Sequence, residues 1–570
     1  MTLFNFLTRW GALGQTPKRG VVIVLVLLSL AMYLPGFVSL QPMDRDEPRF
    51  AQATKQMLET GDFVAIRFQN EARNKKPVGV YWLQAGFVAG AEALGVPEAR
   101  AKIWLYRLPS LIGAVATVLL TWWAALTLVG EGAALIAAML MASTILLGVE
   151  ARLAKTDALI AATVAAAMGV LARHWMARGR EAFSNAEQWR LAAVFWAALG
   201  VGLLIKGPIT PMVPAFASIA LAVYARAGGW LRGLKPLAGW LLCLAVVAPW
   251  FILIMIATKG AFLSDSLGAD MMSKVAGGQE AHGAPPGAYL GAFLVTAWPM
   301  APLALLAAPF VWRTRREPAT AFLLAWLVPS WLLFEAVPTK LPHYVLPLFP
   351  AIAILTAAAI EKQALAMGSR LRHALWLIPG VAVVLVLVGL IGPVVLGAPS
   401  GLLFYVIAPF VLWQAWRMVG AIRARATGSL VPGGALLALF CYIMVYGGVM
   451  TGPVFQPFAM SPRLAEARAR AQAQSGCADL APASPGYREP SLVFLTRTDL
   501  LFDSPEATGL FMGEGSCRIA FINAPDDAAF KAGLGAGAEG VRLIERLTGI
   551  NLNGGRKLDI GVYLRQGEGR

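Results

Sequence analysis

The sequence predicts a polytopic α-helical membrane protein of about thirteen spans, followed by a small C-terminal α/β domain on the outer face. Three observations carry this. Hydrophobic residues make up 58% of the 570 and charged residues only 14%, against nearly a quarter charged in soluble domains. Apolar runs near the 20 residues needed to cross a bilayer recur along the chain. The last 118 or so residues, 453–570, lose that pattern. The net charge of +16 does not point to nucleic acid, because much of the excess sits in short loops between apolar runs, which is the positive-inside pattern.

The first run is Val21–Leu40 after a short basic start (Arg9, Lys18, Arg19). No small-residue cleavage site closes it, so it reads as an uncleaved span with a cytoplasmic N-terminus. Further spans are placed at 104–129, 131–149, 156–172, 191–205, 208–225, 236–257, 289–311, 319–336, 344–361, 373–396, 400–417 and 430–452. Alternation puts Arg173–Arg190, Arg226–Lys235, Arg313–Arg316, Lys362–Arg372 and Arg417–Arg425 inside. All are basic, as the orientation rule requires. The outside face then receives residues 41–103, Glu150–Lys155, the Lys206-Gly207-Pro208 turn, the Gly/Pro-rich loop 258–288 (read as mobile), 337–343 and the tail.

Between the first two spans lies a charge-rich island, Met43–Leu83, with Asp44, Asp46 and Glu47 at its start and Arg73, Lys75 and Lys76 at its end. Glu47–Thr60 has helical spacing and a stop at Gly61, and its amphipathic pattern predicts a helix in the interface plane. Asp44 or Asp46 is its N-cap. Lys76-Pro77 predicts an extended turn, and Tyr81 and Trp82 read as interfacial anchors. In the tail, helix is expected over Pro462–Gln474 and Asp526–Gly533, and strands over Ser491–Leu495, Arg518–Asn523, Gly540–Ile544 and Leu558–Leu564. Four cysteines show no metal-ligand spacing. Cys243 and Cys441 lie in spans, and Cys477 and Cys517 are a disulfide candidate in an exported tail.

The island's Asp-Glu, its helix, the Met57-Leu58-x-x-Gly61-Asp62-Phe63-Val64 turn and Lys76-Pro77 before Tyr81-Trp82 together resemble the first outside loop of ArnT-type glycosyltransferases. These polytopic GT-C enzymes take sugar from a polyprenyl phosphate. Lys340–Tyr344 (Lys-Leu-Pro-His-Tyr) extends the resemblance. It implies a GT-C fold, an inverting transfer from a polyprenyl (undecaprenyl) phosphate donor to lipid A or another envelope glycolipid, and a bacterial inner membrane with the site facing the periplasm. On this resemblance Asp46 and Asp157 are catalytic and Lys76 contacts the donor phosphate. The family's glutamate before the lysine is Lys75 here and its second proline is Val78. The missing glutamate removes a carboxylate that could hold a divalent metal, so no cofactor is expected with certainty.

The chemistry agrees without the name. A departing polyprenyl phosphate needs cations on its oxygen, for which Lys76, Arg152, Lys155, Lys206, Lys274, Lys340 and His343 are candidates. An acceptor hydroxyl needs a base, Asp46. Glu47, Arg49 and Tyr81 complete the first-loop candidates. Donor, acceptor and membrane lipids are the expected partners, and the chain is expected to be a monomer. The alternative is a lipid or sugar transporter or flippase, but such proteins place charges near the midplane in paired repeats, and here the charges gather at one face.

Overall fold

The computed structural model describes residues 18–43, 46–179, 183–271 and 283–567. Among them, nine helices are long and apolar enough to cross a membrane, from Ile103–Ala125 to Thr427–Val449, and four shorter apolar helices accompany them: Arg19–Tyr33, Glu131–Ser143, Ile209–Ala225 and Met300–Thr314. The Ile103–Ala125 helix packs along Asp157–Met176. Gly113 makes this possible, because a Cβ there would stand 2.8 Å from the Leu159 backbone nitrogen.

Several helices end together on the face that carries the island. Tyr33 donates its hydroxyl to Ala142 O at 2.9 Å, Tyr442 donates to Thr144 O at 2.7 Å, and Ile145 N donates to Trp298 O at 3.2 Å. These bonds satisfy backbone that the broken helices would otherwise leave unpaired inside hydrocarbon. The Arg152 guanidinium fills the same junction. It donates to the carbonyls of Pro35, Gly148 and Met32 and lies 4.0 Å over the Tyr446 ring and 4.8 Å over Tyr442.

The island contains a helix, Asp46–Thr60, closed by Gly61 at φ +73° with Gly61 N donating to Met57 O. A two-residue ribbon follows, β1 (Arg67–Phe68) against β2 (Glu71–Ala72). The helix is not a half-lipid-exposed interfacial helix. Ten of its fifteen residues are buried, because one face meets the membrane domain and the other meets the tail. Phe50, Ala53 and Met57 pack with Ile66, Val78 and Tyr81. Tyr81 is therefore fully buried rather than an interfacial anchor, and burial pushes its hydroxyl pKa above the ordinary value.

The tail folds as a mixed sheet in the order β3-β4-β6-β5. β3 (Ala481–Ala483) runs parallel to β4 (Arg518–Asn523), and β6 (Lys557–Arg565) pairs antiparallel with both β4 and β5 (Val541–Ile550). The Met460–Ser475 helix lays Leu464, Ala467 and Ala471 on Ile519, Phe521, Ile560 and Val562. Cys477 and Cys517 are bonded, with Cα atoms 5.8 Å apart. Ser491–Leu495, expected as a strand, is helical within Pro490–Leu495. Pro490 occupies the first helical position, where its missing N–H costs nothing, and the turn drives Phe494 into the membrane domain.

Candidate active site

Five charged or titratable side chains converge where the helices end. Glu150 closes the Ile145–Glu150 helix, Lys155 sits on the following turn, and Asp157 opens the Asp157–Met176 helix. Lys206 is the last residue of Asn185–Lys206, which Gly207 terminates at φ +75°. His343 comes from the turn of 3₁₀ helix Pro342–Leu348.

Lys206 Nζ makes a short ion pair with Asp157 Oδ1 and lies 5.3 Å from the Tyr344 ring centre. His343 bridges the two acids, with Nε2 3.9 Å from Asp157 Oδ2 and Nδ1 3.8 Å from Glu150 Oε1. Lys155 Nζ approaches the same Glu150 oxygen at 3.8 Å. The four charged side chains are 3–7% exposed and His343 12%, so these charges are largely withdrawn from water. Such groups persist only when paired, and intramembrane ionisable groups of this kind mark functional sites.

The island is stitched to this cluster at two points. Glu47 Oε1 accepts from Ala154 N at 2.9 Å, next to Lys155, whose own backbone is held by the Ile103–Ala125 helix, Ser110 Oγ accepting from Lys155 N and donating to Lys155 O. Gln84 completes the hold, donating to Ala154 O while accepting from Thr54. At the other end, Gly79 lets the Lys76-Pro77-Val78 turn abut the Lys206 helix, since a Cβ there would lie 2.8 Å from Leu204 O. Lys76 is half-buried and close enough for its charge to act on His343, whereas Lys75 is exposed.

The comparisons with known proteins bear on family and fold. Residues 75–253 match the family described as dolichyl-phosphate-mannose-protein mannosyltransferase. The undecaprenyl phosphate-alpha-4-amino-4-deoxy-L-arabinose arabinosyl transferase of Erwinia tasmaniensis is 28% identical over 353 residues, 60% of this chain and 61% of the relative. The protein of the same description from Pectobacterium carotovorum is 26% identical over 76% of each chain. ArnT from Cupriavidus metallidurans, solved bound to undecaprenyl phosphate, superposes with a TM-score of 0.73 at 18% identity, covering 95% of this chain and 98% of that one. In sequence and in fold the chain resembles the ArnT-type glycosyltransferases. An archaeal oligosaccharyltransferase from Archaeoglobus fulgidus shares the fold more distantly, with a TM-score of 0.51 at 12% identity over 90% of this chain and 70% of that one.

The candidates read from the sequence separate into groups at this site. Asp157, Lys155, Lys206 and His343 come together, with Lys76 beside them. Asp46 stands at the head of the island helix, half-exposed and 3.5 Å from Arg49. Glu47 has a different role from the one expected. It is fully buried, chelated by Arg107 at 2.7 and 3.0 Å, and also accepts from Met43 N at 3.0 Å. Arg152 is committed to carbonyls and tyrosine faces. Lys340 donates to Ala284 O and Val337 O at 2.9 and 2.8 Å, tying two chain segments together. Lys274 lies outside the described residues, as do Asp44 and residues 272–282 of the 258–288 loop. Sequence reasoning missed Glu150, whose only signal is its place seven residues before Asp157. It also missed Asn74, buried two residues before Lys76, which donates to Asp265 at 2.9 Å.

Glu150, Asp157 and His343 are the one group among the described residues whose ligand atoms, all within 4.8 Å of one another, could hold a metal ion. Two carboxylates and an imidazole suit a divalent transition metal. A metal there would compete with the two ammonium groups already on the same carboxylates.

Proposed function

We propose that this chain transfers a sugar from an undecaprenyl-phosphate carrier to a lipid A or related glycolipid acceptor at the periplasmic face of the bacterial inner membrane. The observation that carries it is the buried Lys206–Asp157–His343–Glu150–Lys155 cluster beside Lys76, in a GT-C fold. The arabinosyl transferases and the undecaprenyl phosphate-bound ArnT that the chain resembles support the carrier and the aminoarabinose class of sugar. All thirteen apolar helices cross the membrane in this reading, with the tail and island on the same outer side, and the protein acts as a monomer.

The step breaks the C1–O bond between sugar and phosphate while an acceptor oxygen bonds C1 from the opposite side, inverting it. Lys76, Lys155 and Lys206 stabilise the negative charge growing on the leaving phosphate. A lysine ammonium suits this as a compact point charge. Asp157, released as Lys206 turns toward phosphate, faces the positive charge developing on the sugar. Where the acceptor is a hydroxyl, Asp46 takes its proton. Where it is an anionic phosphate, no base is needed and Asp46 orients it. The lysines supply the charge neutralisation a divalent metal would bring, so we assign no resident metal to the reaction.

The test is lipid mass spectrometry of envelopes from wild type, a deletion strain, and strains carrying Asp157→Asn, Lys206→Met, Asp46→Asn or Lys76→Ala. Loss of one sugar from one glycolipid in the deletion and in all four variants is expected. Retention of that sugar in the Asp157 and Lys206 variants would remove the proposed site. An unchanged glycolipid profile in the deletion would remove the transferase reading.

A further inference from the structure

The tail holds the island helix by one buried anchor and a fork of polar bonds. Phe494 is fully buried between Ala51, Val88 and Ala154, edge-on to Tyr106 at 5.2 Å. Its carbonyl accepts from Lys55 Nζ at 3.0 Å. Four residues further on, Thr498 accepts from Gln52 Nε2 at 2.8 Å and donates to Glu59 at 2.6 Å. Gln69 reaches across from the ribbon and donates to Thr498 O and Leu500 O at 3.1 and 2.7 Å. Its own backbone is tied to Gln56 by two bonds.

The geometry is that of a clamp. Gln52, Lys55 and Glu59 fall at i, i+3 and i+7, one stripe of the helix. Phe50, Ala53 and Met57 repeat the same spacing on a second stripe, packed in the membrane domain. The helix so gripped begins with Asp46 and Glu47, and Glu47 holds Ala154 of the Lys155 turn. Phe494 is buried in the same hydrophobic cluster as that Ala154. The gripping segment, 490–501, lies wholly inside the covalent loop closed by Cys477–Cys517, a separation of 40 residues.

We propose that Phe494 and Thr498 are positioning residues for sugar transfer, and that the Cys477–Cys517 bond keeps their segment seated. The tail on this account is a structural part of the catalytic apparatus, and its disulfide makes full activity depend on an oxidising compartment. A shift of about 1 Å in a positioned group costs on the order of 10²-fold in rate, and a slackened clamp permits shifts of that size at Asp46 and at the Lys155 turn. The inference rests on the transferase reading for its rate effect but not for its effect on the helix.

The experiment uses the full chain in nanodiscs, with undecaprenyl phosphate-linked 4-amino-4-deoxy-arabinose as donor and lipid A as acceptor. Wild type is compared with Phe494→Ala, Phe494→Leu, Thr498→Val and the double variant Cys477→Ser/Cys517→Ser. Hydrogen exchange is followed over residues 46–60 and, as reference, 157–176. Expected are a 10- to 100-fold fall in kcat for Phe494→Ala and the double cysteine variant, a donor KM within twofold of wild type, and substantial recovery in Phe494→Leu. Exchange should rise over 46–60 and not over 157–176. Unchanged exchange over 46–60 in all variants, or raised exchange with kcat within twofold of wild type, would overturn the proposal. If Phe494→Ala does not fold, Thr498→Val and the cysteine pair decide alone. Wild type inactive with this donor would count against the transferase reading, and the exchange data would still decide whether the tail holds the helix.

Discussion

Removing the Arg107 guanidinium should cost more than any other single change at the island. Arg107 and Glu47 are both completely buried. Arg107 donates twice to Glu47 and once each to the carbonyls of Phe37, Leu40 and Gln41, at 2.8 to 3.1 Å. Arg107→Met keeps much of the side-chain volume but strands a buried carboxylate, which costs about 3–5 kcal/mol. The three carbonyls lose a donor worth about 1 kcal/mol apiece where water does not replace it. Glu47 keeps two backbone N–H donors, from Met43 and Ala154, so the lower half of the 3–5 range is the better expectation. Glu47→Gln/Arg107→Met strands no charge and should recover about 1.5 kcal/mol or more of the loss, a coupling of the size contacting groups show. The assay is thermal unfolding of the four proteins of the cycle in one detergent, with transfer measured alongside. Strict additivity, or a loss under about 1 kcal/mol in Arg107→Met, would refute the argument that this pair fixes the island to the membrane domain.

Three further outcomes are expected. Lys206→Met should lower kcat on the order of 10²–10³-fold, the scale for removing one stabiliser of transition-state charge, and steady-state transfer reads it directly; a loss under threefold would dismiss Lys206 from the chemistry. Transfer should be indifferent to a chelator, and chelation that abolished activity with recovery on adding zinc or manganese would hand Glu150, Asp157 and His343 to a metal instead. Burial holds the Lys55 pKa below its ordinary 10.5, opposed by the Glu59 carboxylate. Between the two values the unfolded chain binds more protons than the folded one, so stability rises with pH across that window. The melting temperature of wild type relative to Lys55→Met should therefore climb from pH 7 toward pH 10, and a flat difference would contradict it.

How far the sequence revealed the molecule depended on the range of the signal. The apolar helices were legible because apolar length is a local property, and the helix from Asp46 to Thr60 because its period and its Gly61 stop are local too. Asp157, Lys206 and His343 could each be named as charges at helix ends. Their convergence could not, because residues 49 and 186 positions removed from Asp157 leave no spacing to read. Glu150 looked like an ordinary loop acid. Ser491–Leu495 reads as a strand by composition, and only its burial against Ala51 and Tyr106 makes a turn of helix the better solution, a tertiary override of weak propensity. Glu47 reads as a first-loop site residue and Arg152 as a phosphate ligand in the sequence, and what occupies them instead is a set of backbone carbonyls and amides, which have no letters there.

The four short helices have a consequence for the bilayer itself. Met300–Thr314 has 15 residues, which rise about 22 Å at 1.5 Å each, well under the roughly 30 Å of a hydrocarbon core. Glu131–Ser143, with 13 residues, is shorter still. Their ends meet at Thr144 and Trp298, where Ile145 N donates to Trp298 O, and beyond that break each joins a second helix, Ile145–Glu150 or Ala288–Thr296. In the proposed arrangement such a helix crosses the hydrocarbon only together with the short piece it joins, so the break and its backbone hydrogen-bonding groups fall within the outer part of the bilayer instead of the lipid having to thin around them.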